Sequence, residues 1–224
     1  MESISRLSEL IEDWKFFAER EGMRSSLPLI LSDIAMLPYR HLHFLVLAHP
    51  LQDPIAEWKP KIELIIRLFS QTDLNLVRHI DRPSEARLCA RRLELGHVGL
   101  VAFYEGRLAG YTWGTMDLST KIERVHPRLE AGDFLCTDSF TFPAYRGCGV
   151  QTALTLSRFQ KFGEMGYSRA VCCIDVRNKP SLAVWQRKVN SSVIGTIDFM
   201  RIGSMYNIRY GNLWQTGRVS ERVL

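Results

Sequence analysis

The chain has 224 residues, of which 46% are hydrophobic and 24% are charged, and its formal net charge is +5. This composition is typical of a globular protein with a core of its own. The basic residues are scattered along the chain and form no tract, so we expect no nucleic-acid partner, whereas the mild positive charge suits an anionic ligand.

The cysteines and the apolar segments exclude several other classes of protein. The five cysteines are an odd number without a C-x-x-C pair, which argues against a disulfide framework and a zinc ribbon. The first ten residues lack the basic start and apolar run of a secretion signal. The most apolar region, residues 27–51, is interrupted by Asp33, Arg40, histidines and prolines, so we expect no membrane span. We therefore expect a cytoplasmic protein with reduced thiols.

Residues 1–70 are predicted to be an ordered N-terminal extension that packs on a domain formed by residues 71–224. Apolar residues recur at helical spacing between Ser3 and Glu21, with charges between them, which predicts an amphipathic helix. Its apolar stripe would pack on the core or, alternatively, on a second subunit of a homodimer. Residues 40–48 predict a strand. Residues 54–70 mix helical spacing with an interior proline and predict no single element.

From Leu74 onward the order of elements is clearer. A strand is predicted over 74–80, a helix over 83–95 that Gly96 ends, and two strands over 98–104 and 107–115 that a tight turn at Glu105-Gly106 joins. The next predicted elements are a strand over 134–142, a helix over 150–165 that Gly166 ends, a strand over 169–176, a helix over 178–188, and strands over 193–202 and 205–210. This order predicts an α/β domain built on a mixed sheet.

The most informative segment, Phe140 to Leu154, reads F-T-F-P-A-Y-R-G-C-G-V-Q-T-A-L and passes from a strand pattern through a glycine-containing turn into a helical pattern. Gly147 and Gly149 permit positive φ and the close approach of a ligand, so the N–H groups of the loop and first helical turn can converge on a phosphate. A dinucleotide fingerprint would need a third glycine at Thr152, and a Walker loop would need a Gly-Lys-Ser/Thr ending. The segment therefore predicts an anion-binding loop of another kind, with an ordinary strand-to-helix turn as the alternative.

This loop resembles the coenzyme A loop of the GNAT superfamily of N-acetyltransferases, whose pattern is Arg or Gln, two residues, Gly, one residue, then Gly or Ala. The matching residues are Arg146, Gly147, Cys148, Gly149 and Val150, and Gln151 stands where the family has its last small residue. The resemblance covers about residues 74–210. It implies a mixed, mostly antiparallel sheet with helices on both faces and a splayed pair of strands that admits the cofactor. It also implies that the residues from Arg146 to Thr152 hold the pyrophosphate of acetyl-CoA or another acyl-CoA. No metal ion is expected at this site.

A second block extends the resemblance. Family members usually have a strand after the loop helix, then an Asn that opens another helix with a small residue and a Tyr. Asn178, Ser181 and Trp185 take these positions, which implies that they contribute to coenzyme A binding. Asn178 is equally suitable as a plain helix N-cap. An indole cannot protonate the leaving thiolate as a tyrosine can, and Val189-Asn190 replaces the usual Gly-Phe.

The strand before the loop supplies the candidates for catalysis. In relatives, a backbone amide near the end of this strand binds the thioester or the pantetheine, which implies Thr141 and Phe142 here. Asp138 is the candidate general base, because it stands in an apolar strand, expected on one face with Cys136 and Phe140. A carboxylate that pairs with a buried arginine is the alternative. Ser139 would orient the substrate or serve as a hydrogen-bonded neighbour in the core.

Other candidates have simpler interpretations. A nucleophilic Cys136 or Cys148 would want a histidine partner, and none is evident. His41 and His43 share one face of a strand without further ligands at metal-site spacing, so packing or placement on an edge strand is expected. Weaker candidate bases are Asp133 and Glu105. Three aromatic residues would either line an acceptor pocket or belong to the core: Tyr104, Trp113 and Tyr206.

Together these features predict an N-acyltransferase that moves an acetyl or another short acyl group from coenzyme A to a primary amine of a small molecule or a protein. The attack would be direct, without a covalent enzyme intermediate. One alternative is a non-catalytic acyl-CoA sensor or scaffold, which Trp185, Gln151 and Val189-Asn190 favour. The other is a transferase that uses longer acyl chains or an acyl-carrier protein.

Overall fold

A computed structural model describes residues 11–15, 18–19, 27, 30–31, 39–53, 58–80, 83–116, 118, 125–202 and 205–211. The strands are β1 (Tyr39–Pro50), β2 (Ile65–Leu68), β3 (Val98–Tyr104), β4 (Arg107–Thr115), β5 (Asp133–Thr141), β6 (Arg169–Asp175), β7 (Ser192–Ile202) and β8 (Met205–Gly211). The helices are α1 (Asp73–Ile80), α2 (Pro83–Glu94), α3 (Val150–Glu164) and α4 (Lys179–Ala183), which continues into a π-helical turn over Val184–Lys188. A 3₁₀ turn, Pro143–Tyr145, joins β5 to the loop before α3.

All eight strands form one sheet in the order β2-β3-β4-β5-β6-β1-β7-β8. Each neighbouring pair is antiparallel except β5 and β6, which are parallel. The result is the mixed, mostly antiparallel sheet that the sequence predicts. None of the helices in the described ranges combines the length and apolar character that crossing a membrane requires.

Strand β1, which lies in the predicted N-terminal extension, is an internal strand of this sheet. It pairs with β6 on one side, where Phe44 faces Asp175, and with β7 on the other, where Phe44 faces Ile197. Val46 and Leu47 are fully buried and contribute to core clusters on opposite faces of the sheet. The strand predicted over 40–48 is confirmed, and it completes the sheet beside the candidate site.

Helices cover both faces of the sheet. Helices α1 and α2 pack on the face that carries Tyr111 and Trp113 of β4. Helices α3 and α4 pack on the other face, where Phe162 stacks on Phe134 of β5. Strand β4 is buried from Leu108 to Thr115 because it lies between these two layers.

The predicted strand over 74–80 is wrong, because these residues belong to helix α1. The Ser70 N–H and hydroxyl both donate to the Asp73 carboxylate, at 2.8 Å each, and the bond from the N–H is one half of a capping box at the start of the helix. Arg67 binds the same carboxylate through two nitrogens, at 2.6 and 2.8 Å. Val77 is then placed inward, fully buried against the sheet.

The other predicted elements from residue 83 onward are present. The β3–β4 hairpin turns at Glu105 and Gly106, with φ of 49° and 76°, as a tight two-residue turn requires. Helices α2 and α3 stop before Gly96 and Gly166, both at positive φ. The predicted N-terminal helix is confirmed only at residues 11–15 and 18–19, and its remaining residues lie outside the described part of the chain.

Strand β5 contains a bulge that the alternating pattern does not predict. Tyr111 faces Phe140 and Trp113 faces Thr137, so two residues of β5, Asp138 and Ser139, lie opposite the single residue between them on β4. Asp138 has a φ of 26°, which is unusual for a residue with a side chain. The bulge reverses the alternation of faces along the strand. The expectation that Cys136, Asp138 and Phe140 share a face is therefore wrong: Cys136 packs on the α3 side and Phe140 packs with Tyr111 on the α2 side.

Candidate functional site

A cleft of about 1030 Å³ opens where β5 and β6 diverge. The two strands pair from Asp133 opposite Arg169 to Cys136 opposite Cys172 and no further. Beyond this point β6 continues along β1 alone, while β5 continues along β4. The predicted splayed pair of strands is present, and its open edges form the walls of the cleft.

Nearly all the residues that the sequence predicts for the site line this cleft. They are Asp138, Ser139, Thr141, Arg146, Gly147, Cys148, Gly149, Val150, Gln151, Thr152, Asn178, Ser181 and Trp185. Phe142 is the exception. Its side chain is only 4% exposed among the aromatic residues of the α2 side, and its N–H donates to the Ala109 carbonyl at 3.0 Å. Phe142 therefore has no backbone donor to offer a thioester.

The glycine-containing loop has the backbone geometry of an anion-binding nest. Gly147 and Gly149 have φ of 77° and 91°, and Gly149 is the N-cap of α3. Among the described residues, none accepts a hydrogen bond from the backbone N–H groups of Gly147, Gly149, Val150, Gln151 and Thr152. Donors in such a loop and at a helix start are suited to binding phosphate oxygens.

Close packing of α3 on β4 holds this loop in place. A Cβ atom on Gly110 would lie 2.6 Å from the Phe140 carbonyl oxygen and 3.1 Å from Val150, and one on Gly114 would lie 2.6 Å from the Phe162 ring. Only glycine at these two positions permits the helix to lie so close to the strand. The N-terminus of α3 is thereby directed at the end of the cleft.

A segment before β2 closes one side of the loop. The Lys61 N–H donates to the Cys148 carbonyl at 3.0 Å, and the indole of Trp58 lies directly against Gly149, where it would collide with any Cβ atom. Trp58, Lys59 and Lys61 all line the cleft. Sequence analysis missed them, because residues 54–70 show no clear periodicity and their contact with the loop is distant along the chain.

Helix α4 and the π-helical turn that follows it also line the cleft. The Asn178 side chain accepts a hydrogen bond from the Ser181 N–H at 3.2 Å, so Asn178 is the N-cap of α4. The Gln151 side-chain amide donates to the Ser181 hydroxyl at 3.4 Å and joins the first turn of α3 to α4. Trp185 is 3% exposed and packs edge-on against Phe159, so its indole is a fixed part of the wall.

The bulge of β5 holds the two predicted catalytic residues. Asp138 is an ion-pair partner of Arg92 on α2, with its carboxylate oxygen 2.5 Å from a guanidinium nitrogen. Arg92 is 2% exposed, so the geometry is that of the alternative interpretation, a carboxylate paired with a buried arginine. The Ser139 hydroxyl lies 2.7 Å from the Thr112 hydroxyl, within hydrogen-bond distance.

Arg158, on the inner face of α3, also lines the cleft, and sequence analysis missed it. It is 1% exposed, and its Nη1 donates to the Thr112 hydroxyl and to the Trp113 carbonyl at 2.5 and 2.9 Å. The signal was present in the spacing. Arg158 lies four residues from both Leu154 and Phe162, which are fully buried, so it interrupts the apolar stripe of α3 with a charge.

The cysteines of the inner cleft are not activated. Burial raises the pKa of the Cys136 thiol to about 12 and also raises the pKa of the Cys172 thiol. Both groups are therefore neutral thiols near pH 7, whereas a nucleophile must be a thiolate. A covalent mechanism through Cys136 has no support in this arrangement.

The weaker candidates lie elsewhere. Asp133 forms an ion pair with Arg169 at 2.7 Å, and His43 lies 2.6 Å from the Asp198 carboxylate. Trp113 is fully buried in the α2-side core. The weaker candidates that do not line the cleft are Glu105, Asp133, Tyr104, Trp113, Tyr206, His41 and His43.

No protein-family model matches the sequence, and a comparison with curated proteins gives no significant match. Solved structures do match. A GCN5-related N-acetyltransferase from Sphaerobacter thermophilus superposes with a TM-score of 0.51 at 17% identity, covering 79% of this chain and 55% of that one. A Drosophila protein from a structural genomics consortium superposes with a TM-score of 0.54 at 12% identity, covering 81% of this chain and 57% of that one. This chain thus spans little more than half the length of either structure, and the likeness shows a GNAT-like fold, as the sequence predicts.

Proposed function

We propose that this chain is an N-acyltransferase that moves an acetyl or another short acyl group from coenzyme A to a primary amine. One observation carries the proposal: the cleft between the diverging strands β5 and β6 ends at a loop and helix start whose N–H groups lack acceptors in the described residues. A long, thin ligand with a diphosphate at one end and a reactive group at the other suits this shape.

The residues present fit the phosphate end of coenzyme A. The N–H groups from Gly147 to Thr152 would bind the diphosphate, and the dipole of α3 adds roughly half a positive charge there. The cationic side chains that line the same cleft are Lys59, Lys61, Arg146, Arg158 and Lys188. This concentration of positive charge favours an anionic cofactor.

The splayed strands fit the pantetheine arm and the reacting group. Beyond Cys136 the edge of β5 that faces β6 pairs with no strand in the described part of the chain, so its backbone donors are available to hold a thioester carbonyl. When bound, acyl-CoA would supply the activated carbonyl. An amine nitrogen would attack its carbon, the carbon–sulfur bond would break, and the thiolate would take up the proton that the amine loses.

Positioning is the main contribution that these residues would make. Holding two reactants in attacking geometry lowers a barrier by roughly 7–11 kcal/mol without any acid or base. Asp138 and Ser139 lie in the cleft at the bulge, where Ser139 would orient the amine and Asp138 would take its proton and pass it to the leaving thiolate. We further propose that the acceptor is a small-molecule or protein amine and that the chain acts in the cytoplasm, as a monomer or a homodimer.

A second candidate function is an acyl-CoA-binding sensor or scaffold without efficient turnover. Two observations favour it: Arg92 already engages the carboxylate of Asp138, and the buried indole of Trp185 stands where relatives have an acidic hydroxyl. The sensor would use the same loop and the same cleft, so cofactor binding alone does not separate the two functions.

Calorimetric titration with acetyl-CoA, combined with thiol release across a panel of amines, tests both candidates. Binding with amine-dependent release supports the transferase, whereas binding without release from any amine supports the sensor. Absence of binding contradicts both.

Two matched variants locate the binding. Gly149→Trp would fill the loop and abolish binding. Gly166→Trp, at the opposite end of α3, also replaces a glycine at positive φ and would leave binding intact, since nothing lies within 4 Å of a Cβ atom there. A thermal melt of each variant verifies that it is folded. Retained affinity in folded Gly149→Trp would contradict the assignment of the loop.

A further inference from the structure

We propose that Arg158 binds a carboxylate at the base of the cleft, so that one of the two substrates carries this group. The inference rests on the proposed acyl transfer and deepens it, because it names a substrate class. The carboxylate would belong either to the acyl chain of the donor, as in a dicarboxylic acyl-CoA, or to the amine acceptor, as in an amino acid.

The first observation is that this guanidinium has no anionic partner among the residues that the structure describes. Arg158 is 1% exposed, and no carboxylate of the described residues forms an ion pair with it. Its hydrogen bonds within the described part of the chain all come from Nη1 and go to neutral oxygens, which are the Thr112 hydroxyl, the Trp113 carbonyl, the Thr137 carbonyl and the Ser139 hydroxyl. Its Nε is buried and has no hydrogen-bond partner among the described residues.

Two other arginines of the fold behave differently. Arg92, which is similarly buried, pairs with Asp138, and Arg169, which is half-buried, pairs with Asp133. A buried charge is costly unless a counter-charge accompanies it. Of these three arginines, Arg158 is the one without a carboxylate partner among the described residues, and it is also the one that lines the cleft.

The second observation is the position of the guanidinium. Its bonds to Thr137 and Ser139 place it beside the bulge of β5, where β5 has just parted from β6. This is the part of the cleft where the thioester carbonyl and the amine would meet. A carboxylate a few atoms from the reacting centre would therefore reach the guanidinium, whose planar donors match a carboxylate well.

A purely structural role predicts a different outcome. If Arg158 only braces the bulge, its loss would weaken every substrate equally, whether charged or neutral. If it binds a carboxylate, its loss would remove the preference for the charged member of a matched pair. The ratio within a pair therefore separates the two roles even where the variant is less stable.

The experiment measures two such ratios in the wild-type protein and in Arg158→Gln and Arg158→Lys. One arm compares dissociation constants for succinyl-CoA and butyryl-CoA by calorimetry. The other compares glycine with glycinamide as ligands of the protein saturated with coenzyme A, again by calorimetry, so that no turnover is needed. A hydrogen-bonded charge pair predicts a preference of about 10- to 100-fold for the carboxylate in one arm.

The expected result is that preference in the wild type, its loss in Arg158→Gln and its partial retention in Arg158→Lys. A preference in the first arm assigns the carboxylate to the donor, and one in the second assigns it to the acceptor. Ratios near one in both arms of the wild type overturn the inference, and this measurement needs no variant to fold. A preference that survives in folded Arg158→Gln also overturns it. Failure of coenzyme A itself to bind overturns the proposed function as well. Binding of coenzyme A with ratios near one overturns only the assignment of Arg158.

Discussion

Replacement of Gly149 with alanine tests the packing of the loop, and Gly147→Ala is its matched control. Both glycines have positive φ, at 91° and 77°. The new methyl group at 147 would meet no atom within 4 Å, whereas at 149 it would collide with the Trp58 indole. The two variants therefore share the backbone strain and differ in the collision.

The magnitudes follow from these two contributions. A residue with a Cβ atom in the left-handed region costs about 1–2 kcal/mol, which is the expected loss in the free energy of unfolding for Gly147→Ala. An added methyl in a filled space costs a further amount of about 1–3 kcal/mol. Gly149→Ala should therefore lose about 2–5 kcal/mol in total.

Urea unfolding at 25 °C measures these losses, and a double-mutant cycle with Trp58→Ala isolates the collision. In the Trp58→Ala background, Gly149→Ala should cost only the backbone strain, as Gly147→Ala does. Equal losses for the two single variants, or a loss at Gly149 that is unchanged when Trp58 is removed, would refute the contact between Trp58 and the loop.

Three further predictions concern single side chains. Asp138→Asn removes the ion pair with the buried Arg92 and should lower the free energy of unfolding, measured by urea denaturation, by about 1–3 kcal/mol. If the acidic limb of the pH profile of kcat/KM does not shift in this variant, Asp138 is not the base. Burial lowers the pKa of His49 from its ordinary 6.5, and neither ring nitrogen has a hydrogen-bond partner in the described residues. The free energy of unfolding should therefore fall as pH drops below 6.5, and His49→Gln should flatten this decline. Parallel curves of unfolding free energy against pH for the two proteins would contradict this prediction. Near neutral pH, iodoacetamide should alkylate the half-buried Cys148 and Cys173 before the buried thiols, and acetyl-CoA should protect Cys148. Mass spectrometry measures the labelling. Equal labelling of Cys148 with and without acetyl-CoA would count against cofactor binding at the loop.

The local features of the fold and site could be predicted from the sequence. The hairpin at Glu105-Gly106 and the helix ends at Gly96 and Gly166 depend on the conformations that only a few residue types adopt, so short patterns identify them. The loop at Gly147 and Gly149 belongs to the same class of signal. Helix α1 was open to prediction too, because Ser70 and Asp73 have the spacing of a capping box.

Features that depend on contacts between distant parts of the chain could not be predicted. No local pattern shows that β1 lies between β6 and β7, or that Trp58 covers Gly149. The bulge at Asp138 arises from the register between β4 and β5, which periodicity along a single strand does not reveal. Asp138 therefore pairs with the buried Arg92 of α2, which its neighbours in the sequence do not indicate.

A crystal structure of the protein with coenzyme A tests the central claim most directly. The account predicts that the diphosphate oxygens lie within hydrogen-bond distance of the N–H groups between Gly147 and Thr152 and that the thiol end lies between β5 and β6 beside the bulge. A cofactor bound at another surface, with those N–H groups directed at solvent or at side chains, would contradict it.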